Sequence, residues 1–133
     1  MTIKIAVIGF GNIAKAIITP LFDKKLLDPR DVYCLVNSKK SVDNIKKNYK
    51  YNVNIFQANS KDSEIVLNCQ IKLLSVKPQQ LKNIVGLEKY TDSGNLLISI
   101  LAGVSLEKLS KRFPNHICVR VVTNIPIIIG KGL

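Results

Sequence analysis

Ile3-Lys4-Ile5-Ala6-Val7-Ile8-Gly9-Phe10-Gly11-Asn12-Ile13-Ala14, close to the N-terminus, is the stretch on which the fold turns. An apolar run of strand length feeds directly into G-x-G-x-x-A, and a helical pattern follows at once. Each small residue has a physical purpose. Gly9 permits a tight turn out of the strand. Gly11, lacking a Cβ, leaves room for a pyrophosphate to approach the backbone. Ala14 is small enough for a helix to lie close to the strand. The helix then directs unbonded N–H groups and the positive end of its dipole at the phosphates. Glycines used only for turn geometry would look similar. Their placement between a strand and a helix favours a dinucleotide-binding fingerprint.

Outward from that turn, strand-like and helix-like segments alternate. Strands are expected at 3–8, 31–36, 53–56, 71–76, 96–101 and 117–122, with helices at 12–22, 41–50, 61–68, 78–90 and 105–112. Ile13, Ile17 and Leu21 share one helical face, with Ala14, Ile18 and Phe22 beside them. Pro20 should kink or shorten this first helix. Ser41 and Ser105 read as N-caps, and Asp92-Ser93-Gly94-Asn95 as a turn. Strands alternating with helices imply right-handed βαβ units. The fold class expected is α/β: a Rossmann-type, doubly wound, mostly parallel sheet with helices on both faces and strand order 3-2-1-4-5-6.

The chain has 133 residues and is 47% hydrophobic, which suits one globular domain spanning 1–133. No apolar run reaches the roughly 18 residues a bilayer demands. The N-terminus lacks a signal-peptide pattern, so a cytoplasmic location is expected, with no membrane partner. Cys34, Cys69 and Cys118 stand in apolar stretches and read as buried thiols. The net charge of +11 comes mostly from lysines scattered over the helices. No basic tract is interleaved with aromatics, so a solvated basic surface is favoured over nucleic-acid binding. His116, the only histidine, follows Pro114-Asn115 and reads as an exposed loop residue. No catalytic carboxylate pair or metal-ligand set is evident, so no catalytic or metal-ligating residue is assigned.

The second strand decides which dinucleotide. NAD-preferring sites place Asp or Glu at its end to bond the ribose 2′-OH. Here the strand ends Leu35-Val36 and continues Asn37-Ser38-Lys39-Lys40, with no carboxylate. An amide, a hydroxyl and two ammonium groups suit a 2′-phosphate, so NADP(H) is expected rather than NAD(H).

Four segments taken together are specific: Gly9-Phe10-Gly11-Asn12-Ile13-Ala14, then Ser75-Val76-Lys77-Pro78-Gln79, then Ile98-Ser99-Ile100-Leu101-Ala102-Gly103-Val104-Ser105, then Arg120-Val121-Val122-Thr123-Asn124-Ile125-Pro126. In this order and spacing the chain resembles the N-terminal domain of the pyrroline-5-carboxylate reductase family. The resemblance implies an NAD(P)H-dependent oxidoreductase of proline biosynthesis whose small-molecule substrate is the cyclic imine 1-pyrroline-5-carboxylate. It implies that Gly9, Gly11, Asn12, Ile13 and Ala14, with Phe10 inside the fingerprint, hold the pyrophosphate. Ser38 and Lys39, next to Asn37, would face the 2′-phosphate, and Asn59 the adenosine. Val76, Lys77 and Pro78 would line the cofactor. Ala102 and Gly103 would lie near the nicotinamide, and Asn124 and Pro126 in the family's N-T-P segment.

The chain departs from the family pattern in three places. Ile125 replaces Thr in N-T-P. Gln70 replaces an acidic residue before the fourth strand. About three extra residues lie between Asn59 and Gln70. The apolar run 125–133 ends abruptly, as the front half of a larger protein would. The family's C-terminal helical domain builds the dimer and the imine-carboxylate site, so the 133-residue chain is expected to bind NADPH with little or no turnover. Two other readings fit the fingerprint: a related NADP-dependent reductase of coenzyme-F420 or β-hydroxyacid type, and a non-catalytic NADP-binding paralogue.

Overall fold

A computed structural model describes residues 3–83 and 95–122. The order of elements is β1 (Ile5–Ile8), α1 (Asn12–Asp23), β2 (Val32–Val36), α2 (Lys39–Asn48), β3 (Asn54–Gln57), α3 (Ser63–Leu67), β4 (Ile71–Leu74), β5 (Asn95–Ser99), α4 (Leu106–Arg112) and β6 (His116–Arg120). Short 3₁₀ turns cover Pro29–Asp31 and Pro78–Asn83. The strands form one six-stranded sheet in the order β3-β2-β1-β4-β5-β6, and every pairing is parallel. The doubly wound Rossmann-type architecture expected from the alternation is the one observed.

Side chains alternate across the pleat, so neighbouring residues of β1 serve different cores. Val7 joins Val32, Cys34 and Leu73 beneath α1 and α2, which contribute Ala14, Ile18, Phe22, Val42 and Ile45. Ala6 and Ile8 join Leu74 and Leu97 beneath α3 and α4, which contribute Val66, Leu67 and Leu109. Right-handed crossovers produce this division. α1 and α2, between β1 and β3, lie on one face, and α3, Leu81 after β4 and α4 lie on the other.

Local sequence explains most boundaries and corrects a few expectations. Of the two candidate faces of α1, the one bearing Ala14, Ile18 and Phe22 is fully buried. Ile17 and Leu21 are half-buried, and Ile13 is exposed. α1 continues through Pro20 to Asp23, because proline removes only the bond to Ala16; Lys24 N–H still donates to Pro20 O at 3.0 Å. α2 is capped by Ser38 rather than Ser41: Ser38 Oγ accepts from the Ser41 amide at 3.1 Å, so the helix begins at Lys39. Ser105 caps α4 as expected, accepting from Lys108 N–H. The later part of the helix expected over 78–90 lies outside the described residues, as do residues 92–94 of the expected turn.

The three thiols are free. Cys34 and Cys69 are buried and Cys118 is half-buried. Burial pushes the Cys34 thiol far above its ordinary range, so it is an inert apolar filler. Among the described residues no helix is long and apolar enough to cross a membrane.

His116 departs from expectation. It opens β6, paired in register with Asn95, and it is buried, with its ring edge-on to Phe113 at 6.1 Å. β6 thus begins one residue before the expected 117. Neither ring nitrogen has a partner among the described residues. Burial, and secondarily the charge of the wholly buried Lys72, holds the imidazole below its ordinary value of 6.5. On acidification the unfolded chain therefore takes up this proton before the folded one. The stabilisation is complete above pH 6.5 and is lost as pH falls below it. The urea midpoint should fall between about pH 7.5 and about pH 5, and His116→Leu should flatten that slope. An unchanged slope in the variant would show that another group is responsible.

Candidate dinucleotide crevice

The strand order reverses at β1, and a crevice opens there at the carboxyl edge of the sheet. Hydrogen bonds beyond the strand ends hold its floor together. Gly9 N–H donates to Leu35 O at 2.8 Å, Ser75 N–H to Ile8 O at 2.8 Å, and Ala58 N–H to Val36 O at 2.7 Å. The connections after β1, β2, β3 and β4 are thus anchored side by side. The chain after β1 leaves towards one face, and the chains after β3 and β4 towards the other. A cavity of about 890 Å³ lies between them. Open α/β sheets bind ligands at this kind of reversal.

The fingerprint glycines serve different ends. Gly9 has φ +85°, and a Cβ there would meet Ser75 O at 2.8 Å and Val76 Cγ1 at 2.9 Å. It is a packing glycine that lets the β1 and β4 ends touch. Gly11 is the N-cap of α1 with extended φ −92°, and a Cβ there would meet nothing within 4 Å. Gly11 therefore borders open space, as a ligand-facing position must. No side chain caps α1, no acidic residue occupies its first turn, and the first intrahelical bond runs from Lys15 N–H to Gly11 O. The amides of Asn12, Ile13 and Ala14 precede that bond and have no intrahelical acceptor. A diphosphate is the kind of group that satisfies such amides.

The positions expected at the site are distributed as follows. Gly9, Phe10, Gly11, Asn37, Asn59, Val76 and Lys77 line the cavity. The Phe10 side chain is turned into the core, edge-on to Tyr49 at 5.1 Å. Ala14 is fully buried beneath α1, and Asn12 and Ile13 are exposed in its first turn. Ser38 and Lys39 are not among the lining residues, and Lys39 is exposed at the start of α2. Pro78 borders a separate groove with Leu81 and α4. Ala102 and Gly103 form an exposed turn, with Gly103 at φ +73°. Asn124 and Pro126 lie outside the described residues.

The sequence reading missed several lining residues. Lys15 comes from α1, Ser41 and Asn44 from α2, and Ser60, Lys61 and Glu64 from the β3–α3 connection and α3. Ser41 and Asn44 are three apart on a helix, a spacing that could have placed them on one face. Lys61 carried no such signal, because it follows a turn whose shape depends on Asn59 at φ +63°.

Comparison with known proteins agrees with this geometry. The family described as "NADP oxidoreductase coenzyme F420-dependent" matches residues 4–103, from β1 to the turn after β5. This chain belongs to that family. Within it, the chain is 33% identical to the pyrroline-5-carboxylate reductase of Synechocystis over its whole length, covering 48% of that protein. A solved pyrroline-5-carboxylate reductase from Coxiella burnetii matches 97% of the chain with a TM-score of 0.81 and 28% identity, covering 47% of that structure. The Plasmodium falciparum pyrroline carboxylate reductase, solved with NADP bound, shares the fold with a TM-score of 0.72 at 24% identity. The chain spans about half the length of the relatives it matches.

Gly9→Ala tests the packing role. It forces a Cβ against Ser75 O in a left-handed conformation and should destabilise the fold by about 2 kcal/mol or more. Urea denaturation measures this, and a change of less than about 0.5 kcal/mol would mean that the β1 and β4 ends do not pack so tightly.

Proposed function

We propose that this chain is the NADP(H)-binding domain of a pyrroline-5-carboxylate reductase, which reduces the cyclic imine 1-pyrroline-5-carboxylate to L-proline. The carrying observation is the open space at Gly11 beside the uncapped amides of α1, in a chain whose full-length relatives bear that enzyme's name. The cavity of about 890 Å³ at the sheet's carboxyl edge supports this reading. Its side-chain charges are Lys15, Lys61 and Lys77 against Glu64, a surplus of cations suited to an anionic ligand. The amides of Asn12, Ile13 and Ala14 would hold the diphosphate. Asn37, Ser41, Asn44 and Asn59 would border the adenosine, and Val76 and Lys77 the part of the ligand beyond β4.

When bound, the nicotinamide supplies the hydride. The chain's own contribution is to fix the orientation of that ring relative to the sheet edge. The rigid contact of Gly9 with Ser75 and Val76 sets the floor on which the ligand rests. Lys77 is held by its backbone, which donates to Gln80 Oε1 at 3.2 Å, while its side chain is exposed at the rim. Recognition of the imine carboxylate and formation of a homodimer would fall to the helical domain that the family adds to this one. Its location would be the cytoplasm, in keeping with three free thiols. The coenzyme named in the family description leaves a second reading, a reductase paired with coenzyme F420. The whole-chain match to imine reductases favours the first.

Calorimetry on the 133-residue chain tests the reading. NADPH should bind at one saturable site, more tightly than NADH. Gly11→Leu should stay folded, since a Cβ at Gly11 meets nothing within 4 Å among the described residues, yet weaken NADPH by about tenfold or more. The chain alone should reduce 1-pyrroline-5-carboxylate negligibly. Absence of NADPH binding, or an unaffected Gly11→Leu variant, would overturn the reading.

A further inference from the structure

The sequence offers Ser38 and Lys39 to an adenosine 2′-phosphate, and the structure offers a second cation across the crevice. Ser38 and Lys39 stand at the expected place after β2, but the structure engages Ser38 in the cap of α2. Ser38 Oγ accepts from the Ser41 amide at 3.1 Å and donates to Ser41 Oγ at 3.0 Å, so both its donor and an acceptor site serve the α2 cap. Lys39 and Lys40 are exposed and are absent from the cavity wall. An NADP site needs a cation at that end of the crevice, because a 2′-phosphate brings about two negative charges.

The opposite wall provides one. β3 pairs in register with β2, Val36 against Gln57, and the Ala58 amide donates to Val36 O at 2.7 Å. The β3–α3 connection is thereby fastened beside the β2–α2 turn. Its course is fixed by Asn59 in the left-handed region and by Ser60 Oγ donating to Gln57 O at 2.6 Å. Lys61 follows directly and lines the cavity together with Asn37, Ser41 and Asn44. The other two lining lysines come from different elements, Lys15 from α1 and Lys77 from the segment after β4.

We infer that Lys61 is the residue that selects NADP(H) over NAD(H), with Asn37, Ser41 and Asn44 supplying neutral hydrogen bonds from the facing wall. This rests on the reading of the cavity as a dinucleotide site. Glu64 sharpens the assignment. It lies three residues beyond Lys61 and is the one carboxylate lining the cavity among the described residues. With Lys61 neutralised, the only charge left on this wall is negative. A carboxylate repels a phosphate and accepts from a ribose hydroxyl, so loss of one lysine should move the preference towards NADH.

The test is calorimetry of NADPH and NADH against the full chain and its Lys61→Gln, Lys39→Gln and Glu64→Gln variants. Lys61 is exposed, so the variants should fold, which a thermal melt checks. Lys61→Gln should weaken NADPH by about tenfold and leave NADH within about twofold. Glu64→Gln should tighten NADPH. If Lys61→Gln leaves the NADPH:NADH ratio unchanged, or if Lys39→Gln abolishes the preference while Lys61→Gln keeps it, the assignment is overturned and the dinucleotide site stands. Equal binding of both nucleotides by the unmodified chain would also overturn it. Binding of neither would remove the site itself.

Discussion

The contact on which this molecule depends is the one between the ends of β1 and β4. At Gly9 the backbone comes so close to Ser75 and Val76 that no Cβ fits between them. That approach lets two parallel strands lie side by side while the chains leaving them part to opposite faces. The crevice is the space left where they part. Its floor is not adaptable, because the same hydrogen bonds that close it, Gly9 to Leu35 and Ser75 to Ile8, continue the ladder of the central sheet. A ligand resting there sits on the most buried strands of the fold, and functional sites gain precision from such support.

The two glycines of the fingerprint divide the work between architecture and recognition. Gly9 is needed by the packing of the protein, and Gly11 borders open space. This separates stability from binding within three residues. It also explains why the cavity needs no elaborate side chains at its centre. Main-chain amides and a helix dipole provide the attraction, and lysines on three separate elements set the sign of the field. Further cations lie on the outer surface, on residues such as Lys24, Lys25, Lys46 and Lys47, which are all exposed. A charge so spread raises the encounter rate of any polyphosphate without naming one.

Much of this was legible in the sequence because local signals agreed with the global fold. The apolar strand before Gly9, the small residue at Ala14 and the alternation of strands with helices all point to one topology. Legibility failed where a decision depended on contacts between distant segments. Ser38 and Ser41 are both good caps, and only the end of β2 determines which one starts α2. His116 follows loop-forming residues, yet pairing with β5 draws it into the sheet and under Phe113. Lys72 is wholly buried in the middle of β4, where its sequence neighbours announce an ordinary apolar strand. Lys61 reaches the cavity only because β3 lies beside β2 and Asn59 turns the chain back. No periodicity within a single segment carries that information.

The central claim is that the opening turn of α1 receives a diphosphate. The most direct measurement is a titration of the isotopically labelled chain with NADPH, followed through its backbone amide resonances. The account requires the largest shifts at Gly9, Gly11, Asn12, Ile13 and Ala14, with smaller ones at Asn37 and Asn59. Shifts confined to residues away from this turn, for instance along α4 from Leu106 to Arg112, would contradict it.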